Sequence, residues 1–258
     1  MKIAPDSHVR VANGEAASFE LCADAALTKV VLRPGASADA QEITLDGGKL
    51  KLPKFDACPA IVKAAWFADG SEDAAFQSTF EIVPRHYFAI DRLKSYGDGT
   101  DDFSMKSDEE LWAARQAATE TFELNAKRTF VRRCGCTKVY SPWRYVELDD
   151  CDVDCIESPG YARLVSDCQV AVNGRFEGEP CEIKYVYGTG HVPARVSQAV
   201  LDLAAYYLRS DVVPSRAVGE ATDAGFLRFT IAGRDGATGL PEVDAIIEQF
   251  GRKRYGVA

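Results

Sequence analysis

Histidine is scarce in this sequence, and the short motifs that mark common enzyme sites are absent. Only three histidines occur among the 258 residues, His8, His86 and His191, and each stands isolated at the edge of an apolar or basic stretch. The chain contains no G-x-S-x-G elbow, no phosphate-binding loop and no H-E-x-x-H motif. A lone histidine is more often structural than catalytic. These absences favour a role other than catalysis.

A basic excess and long apolar runs are also missing. The chain has 39 acidic and 30 basic residues, a formal net charge of −9, whereas proteins that grip nucleic acid through its phosphates carry a basic excess. No apolar run approaches the roughly 18 residues that a membrane span needs. The N-terminus lacks the apolar stretch of a secretory signal. Since 47% of the residues are hydrophobic, we expect a soluble, acidic, globular protein made in a cytoplasm.

Cysteine, in contrast, is abundant, and its distribution is uneven. Eight cysteines occur, six of them between residues 134 and 181. One hypothesis is a zinc site built from four thiolates, those of Cys134, Cys136, Cys151 and Cys155. The C-x-C spacing is atypical of zinc sites, and free cysteine also behaves as a small hydrophobic residue. We therefore expect buried or incidental thiols, which metal analysis would test.

Two further patterns resemble known ligand sites only in part. Asp150, Asp152 and Asp154 repeat like the opening of a calcium loop, but Cys155 and Tyr161 stand where that loop needs glycine and glutamate. A solvated acidic loop is the expectation there. The segment Gly188-Thr189-Gly190 begins like a dinucleotide-binding loop, yet Pro193 stands where that motif requires glycine. We expect a turn between a strand and a helix.

The periodicity of apolar residues predicts an α+β protein. Residues 1–85 contain short apolar runs separated by turn residues and no helical period, which predicts an all-β, sandwich-like domain, for which an immunoglobulin-like form is one option. Asp46-Gly47-Gly48 is typical of a hairpin turn between two of these strands. Residues 86–258 predict a mainly helical domain with a β insertion at about 137–187. The predicted helices cover about 89–96, 108–128, 195–209 and 241–250. Ser107 and Glu110 have the spacing of a capping box that starts the second helix.

Three motifs follow one another in the second domain. The first comprises the short helix Ala89–Tyr96, the acidic and alanine-rich helix Asp108–Ala118 and the end Lys127–Phe130. The second is the strand Ile183–Gly188, then Val192-Pro193 and the helix segment Ala199–Ala204. The third is the segment Thr238–Ala245, followed by Phe250 and basic residues. In this order and spacing, the motifs resemble the head–tail connector (adaptor) proteins of tailed bacteriophages, the HK97-type family.

The resemblance implies a structural virion protein and no enzyme, cofactor or metal. Members of the family form a ring of about twelve subunits that is closed by head-to-tail contacts. The ring lies between the portal and the tail, extends the DNA channel without sequence-specific DNA binding and docks tail-side connector or stopper proteins. The protein would therefore be located at the head–tail junction of the virion, after assembly in the host cytoplasm, with no membrane partner. The candidate residues for portal contact are Phe250, Arg252, Lys253, Arg254 and Tyr255.

Other functions stay open at this point. Within the same neck, the chain would serve as a head-closure (stopper) or tail-completion protein. An enzyme that binds metal through the Cys/Asp cluster at 134–155 is a second class, and replacing Cys134 or Cys151 would test it. A binding module, in which residues 1–85 hold a glycan or protein ligand, is a third. The scarcity of histidine favours the structural protein.

Overall fold

The computed structural model describes residues 1–35, 39–96, 103–140, 144–172, 180–209, 219–222, 225–228 and 236–252, with the backbone alone for 219–222 and 225–228. It confirms the α+β class, with strands first, then helices and further strands. Contacts divide the chain into two compact units. The first contains 1–86 and 130–191, and the second contains 87–129 and 192–258. The predicted β insertion thus groups with the N-terminal strands, while the division into functional domains at residue 85 stays a prediction.

The N-terminal strands form two sheets. One contains β1 (Lys2–Ile3), β3 (Ser18–Leu21) and β6 (Lys49–Lys51), in the order β1-β3-β6. The other contains β2 (His8–Ala12), β4 (Leu27–Pro34), β5 (Gln41–Thr44), β7 (Ala60–Ala68) and β8 (Phe76–Val83), in the order β2-β8-β7-β4-β5. This partition of strands is similar to that of an immunoglobulin-type sandwich.

Aromatic side chains fill the space between these sheets. The rings of Phe19 and Phe80, one from each sheet, lie 5.1 Å apart at their centroids. Trp66 is fully buried, and its indole N–H donates to the Ser78 hydroxyl at 2.8 Å. A buried indole needs such an acceptor because an unpaired N–H would lose its hydrogen bond to water. Phe76, Ser78, Phe80 and Ile82 alternate along β8 and form its core face.

The predicted hairpin at Asp46-Gly47-Gly48 is wrong in its strand pairing. Gly47 and Gly48 both have positive φ, and Asp46 and Lys49 form one isolated bridge. Beyond it, β5 pairs with β4 and β6 pairs with β3, in different sheets. The turn therefore carries the chain from one sheet to the other. Leu50 favours this crossing because, as the register partner of Phe19 on β3, it is fully buried.

The remaining strands of the first unit form two three-stranded sheets. One contains β9 (Arg133–Val139), β11 (Val153–Ser158) and β14 (Cys181–Tyr187), in the order β11-β14-β9. The other contains β10 (Tyr145–Glu147), β12 (Ala162–Ser166) and β13 (Gln169–Val172), in the order β10-β13-β12. Both contribute to one apolar core, to which β14 supplies Ile183, Tyr185 and Tyr187. We call this part of the chain, residues 133–187, the β lobe.

The second unit is built on helices, and the predicted bounds differ from the observed ones by one or two residues at most ends. The helices are α1 (Ile90–Lys94), α2 (Asp108–Ala126), α3 (Ala194–Leu208) and α4 (Pro241–Phe250). The predicted capping box is confirmed, since the Ser107 hydroxyl accepts from the Glu110 N–H at 3.2 Å. A short hairpin of β15 (Gly219–Thr222) and β16 (Gly225–Arg228) also lies in this unit. Within the described residues, no helix is both long and apolar enough to cross a membrane.

Candidate interaction site

The predicted portal-contact segment begins at the end of α4. Phe250 is its last helical residue and is half-buried. The Gly251 N–H donates to the Ile247 carbonyl at 2.7 Å, and the Arg252 N–H donates to the Ala126 carbonyl at 2.8 Å. The backbone at Arg252 is thus held against the C-terminal end of α2. Lys253, Arg254 and Tyr255 lie outside the described residues, so portal contact at these five positions stays a prediction.

Glycine is required at position 251 by this close approach. A Cβ on Gly251 would stand 2.4 Å from the Ile247 carbonyl oxygen and 3.1 Å from that of Ala126. Both neighbours are backbone atoms, which cannot rotate away as the end of a side chain can. The sequence after Phe250 therefore positions the start of the basic segment against α2 rather than releasing it directly from α4.

The third motif has a definite structural role at the start of α4. The Asp244 carboxylate accepts from the Thr238 N–H at 3.0 Å and from the Thr238 hydroxyl at 2.9 Å. The same hydroxyl accepts from the Leu240 N–H at 3.2 Å. Gly236 lies so close that a Cβ there would stand 2.0 Å from Asp244 Oδ2. These contacts close the loop onto the helix, and Pro241 fits the first helical position because a backbone N–H, which proline lacks, would be unpaired there.

Polar side chains join α1 to α3. The Arg92 guanidinium donates to Ser197 Oγ at 3.1 Å and to Gln198 Oε1 at 2.6 Å. The Tyr96 hydroxyl donates to the Asp202 carboxylate. Burial and the neighbouring Asp202 charge raise the pKa of Tyr96 to about 12, so it stays a proton donor at neutral pH. These contacts orient two elements that carry the first and second motifs.

Within the first unit, Glu81 is a buried carboxylate that the sequence did not single out. Its side chain is 2% exposed, and it accepts from Arg10 Nε at 3.1 Å and from Arg133 Nε at 2.6 Å. His8 Nε2 lies 3.6 Å away. Burial alone would raise the pKa of Glu81, but the hydrogen bond with His8 and the two guanidinium groups outweigh it and hold that pKa far below its ordinary value. Glu81 stands between Phe80 and Ile82 on β8, so simple alternation along the strand would place its side chain on the solvent face.

The acidic stretch that precedes β11 is only partly the solvated loop that the sequence predicted. The Tyr185 hydroxyl donates to Asp150 Oδ2 at 2.8 Å, and the Thr137 hydroxyl donates to Asp149 Oδ2 at 3.0 Å. Burial raises the pKa of Asp150 above its ordinary value. Asp154 belongs to strand β11 and pairs with Arg132 at 2.8 Å. The carboxylates are thus engaged by neighbouring side chains instead of converging on one point.

The cysteines do not gather into the four-thiolate group that the zinc hypothesis requires. Cys134 and Cys155 lie on β9 and β11, which flank β14 on opposite sides at Val186. Neighbouring strands lie about 4.8 Å apart, so these two strands are separated by about twice that distance. Burial, with nearby acidic groups, raises the pKa of Cys134 to about 12, which disfavours a thiolate ligand. In the described parts of the chain, no three metal-ligating side chains come together, and all eight cysteines are free.

Two of the three histidines and the glycine turn have structural partners. His86 Nε2 lies 3.0 Å from Glu15 Oε2, and His8 lies beside Glu81. Gly188 and Gly190 have φ of 100° and 71° between β14 and α3, as expected for a turn between a strand and a helix. The Arg85 guanidinium donates to the Gly190 carbonyl at 3.0 Å.

Exposed apolar side chains concentrate on the β lobe. Of the eight large hydrophobic side chains exposed among the described residues, five lie between residues 140 and 165. They are Tyr140, Tyr145, Tyr161, Leu164 and Val165. Tyrosine is enriched in protein interfaces because it buries a large apolar ring and keeps a polar hydroxyl. The sequence shows three tyrosines in this strand-rich segment, but it does not show which of their rings are buried and which are exposed.

Comparison with known proteins gives matches among solved structures alone. No family model matches the chain, and no curated protein matches it. The chain is similar to one described as "Neck of empty GTA particle computed with C6 symmetry", at 17% identity and a TM-score of 0.43, over 67% of this chain and 93% of that one.

Two further solved structures are similar over comparable lengths. One is described as "Virion of native gene transfer agent (GTA) particle", at 18% identity and a TM-score of 0.42, over 66% of this chain and 90% of that one. The other is "Neck of native GTA particle computed with C12 symmetry", at 20% identity and a TM-score of 0.39, over 59% of this chain and 86% of that one.

Proposed function

We propose that this chain is a structural protein of a virion neck, an adaptor that forms a homo-oligomeric ring between the portal and the tail. The observation that carries the proposal is that the helical segments of all three motifs lie in one compact unit, in the order that resembles HK97-type connectors. Each motif also has a physical role there. The capping box starts α2, the polar contacts join α1 to α3, and Thr238 with Asp244 closes the loop onto α4.

In this proposal the C-terminal segment contacts the portal, and DNA passes through the ring without being gripped. The hydrogen bond from the Arg252 N–H to the Ala126 carbonyl holds Arg252, the first of the basic residues, at the end of α2. The net charge of −9 suits a channel wall, because repulsion of phosphate disfavours adhesion during DNA transit. The protein acts without a catalytic residue, cofactor or resident metal, and it resides at the head–tail junction after assembly in the host cytoplasm. Its tail-side face docks a connector or stopper protein.

The portal contact is tested by reversing two charges that follow α4 in the sequence. We expect Lys253→Glu with Arg254→Glu to weaken binding to assembled portal rings by at least about tenfold, because basic residues that face an acidic partner steer and hold it. Surface-immobilised portal rings and purified protein supply the measurement. Lys49→Glu with Lys51→Glu changes the net charge equally on the exposed strand β6 and is the matched control.

Each outcome bears on a different part of the proposal. Unchanged binding by the 253/254 variant would show that the C-terminal segment is not the portal contact. Wild-type protein that binds no portal ring, but binds purified tail-side components, would make it a stopper or tail-completion protein instead. Wild-type protein that binds neither would overturn the neck function.

A further inference from the structure

The sheet β10-β13-β12 has two free edges within the described residues. Strand β13 pairs with β10 on one side and with β12 on the other, and both pairings are antiparallel. No further described strand pairs with β10 or β12. An edge strand presents unpaired backbone N–H and C=O groups, which natural proteins cover, blunt or use for pairing. Three of the five exposed apolar side chains of the β lobe, Tyr145, Leu164 and Val165, belong to these two strands.

The two edges match each other in length. Strand β10 has three residues, Tyr145 to Glu147. Strand β12 has five, but its register shifts between Leu164 and Ser166, as at a β-bulge. Since a bulge interrupts regular pairing, the regular part of β12 is Ala162 to Leu164. Each edge therefore offers a regular stretch of three residues.

The outer faces of the two edges carry opposite charges. Val146 packs against the core of the β lobe and Ala162 belongs to it, so their strand neighbours point to the opposite face. On β10 these neighbours are Tyr145 and Glu147, and on β12 they include Arg163, all exposed. Glu147 and Arg163 do not pair within the chain, because in the register with β13 Arg163 shares a row with Tyr145, while Glu147 shares one with Ser166. One sheet thus holds both halves of a complementary contact.

We propose that edge β12 of one copy pairs with edge β10 of the next copy, so that the sheet continues from subunit to subunit. A rotation that closes a ring keeps the same face outward and the same order of strands. Because β10 and β12 both run antiparallel to β13, the two edges then meet in parallel. Arg163 lies beside Glu147 of the next copy, and Ala162 beside its Val146 on the core side, where both side chains are apolar.

The occupant is a second copy rather than a different protein, because this chain supplies both complementary edges. An isologous pairing of β12 with itself is disfavoured, since an antiparallel pair centred on Leu164 would set Arg163 opposite Val165 and leave Glu147 without a role. The inference deepens the proposed ring and rests on that function for its closure. It differs from the portal contact in residues, so the two fail separately.

The test is a charge swap across the two edges. We expect Arg163→Glu and Glu147→Arg each to weaken self-association of the full chain by more than about tenfold, because like charges would then face each other across the contact. The double variant restores the opposite charges and is expected to return to within about threefold of wild type. Sedimentation velocity over a range of protein concentrations measures the association.

Controls of the same charge change lie on edge strands of the N-terminal sandwich. Lys51→Glu on β6 and Glu42→Arg on β5 are exposed, and neither should alter self-association. Thermal unfolding of every variant shows that the fold is kept. The inference is overturned if both single variants associate like wild type, or if the double variant fails to recover. Loss of self-association in Arg163→Glu, with none in Glu147→Arg, would indicate the isologous contact instead. Wild-type protein that stays monomeric at every concentration would reject the edge pairing, and its binding to portal rings would still test the proposed function separately.

Discussion

At the scale of single residues, a glycine on β9 allows a close contact that amino-acid composition does not predict. Gly135 lies on β9 between Cys134 and Cys136, and the sequence pattern there points to the two cysteines rather than to the glycine. A Cβ there would stand 2.2 Å from Tyr185 Cε2 and 2.9 Å from Asp150 Oδ2. The glycine therefore lets the Tyr185 ring approach the backbone and reach Asp150 and Thr137.

Gly135→Ala is expected to destabilise the protein by about 1–3 kcal/mol, the usual cost of overpacking a well-packed site. Gly160→Ala is the matched control, because a Cβ at Gly160 meets no atom within 4 Å. Its free energy of unfolding should stay within about 0.5 kcal/mol of wild type. Urea unfolding of the three proteins gives the values. Equal stability of the two variants would mean that the Tyr185 ring relaxes freely.

At the scale of elements, local sequence signals agree with the helices better than with the strand pairings. The capping box at Ser107 and the apolar faces of α2, α3 and α4 depend on residues a few positions apart, so they can be recognised in the sequence. Strand pairing depends on partners far along the chain. This is why the turn at Asp46 is predicted and its two flanking strands are nevertheless assigned to the wrong partners.

Removing the Ser107 cap tests how much α2 depends on its own first turn. We expect Ser107→Ala to lower the free energy of unfolding by about 1 kcal/mol, because the Glu110 N–H loses its acceptor. Ser107→Thr retains a hydroxyl that can accept from the Glu110 N–H and donate to the Glu110 carboxylate, so it should remain close to wild type. Chemical unfolding monitored by far-ultraviolet circular dichroism supplies the measurement. A loss of equal size in both variants would contradict the capping role.

At the scale of the whole molecule, the chain is not a simple series of domains, because its first unit is built from two separate segments of the sequence. The contact of Arg133 with Glu81 joins the start of the β lobe to strand β8 of the sandwich, 52 positions earlier in the chain. Arg10, from β2, reaches the same carboxylate. One buried acid therefore links three strands of the first unit, whose two chain segments are separated by 87–129 of the second.

Glu81→Gln is expected to cost about 3 kcal/mol at pH 7, because it leaves two guanidinium groups next to an uncharged side chain. The folded pKa of Glu81 lies below its ordinary value of 4.5. The carboxylate therefore contributes its full stabilisation above that value, and the contribution declines as the pH falls towards the folded pKa. The difference between wild type and Glu81→Gln should accordingly shrink below about pH 4.5.

Thermal or urea unfolding from pH 7 down to pH 3 measures this difference. Glu42→Gln is the control, since Glu42 is an exposed carboxylate whose pair with Lys29 spans 3.7 Å at the surface. Such pairs contribute about 0–1 kcal/mol. If the stability of Glu81→Gln follows that of wild type at every pH, the charge of the Glu81 carboxylate does not stabilise the protein through Arg10 and Arg133.

Local sequence is enough to predict the α+β class, the helices, the capping box and the strand that starts at Ile183, because each depends on periodicity or on hydrogen bonds between near neighbours. The grouping of the β lobe with the N-terminal strands, the burial of Glu81 between arginines and the position of β10 and β12 at the edges of one sheet come from the tertiary structure instead. Those features depend on which distant segments come together. The local sequence pattern does not specify which distant segments pair, since many strand pairings satisfy the same alternation of apolar and polar residues.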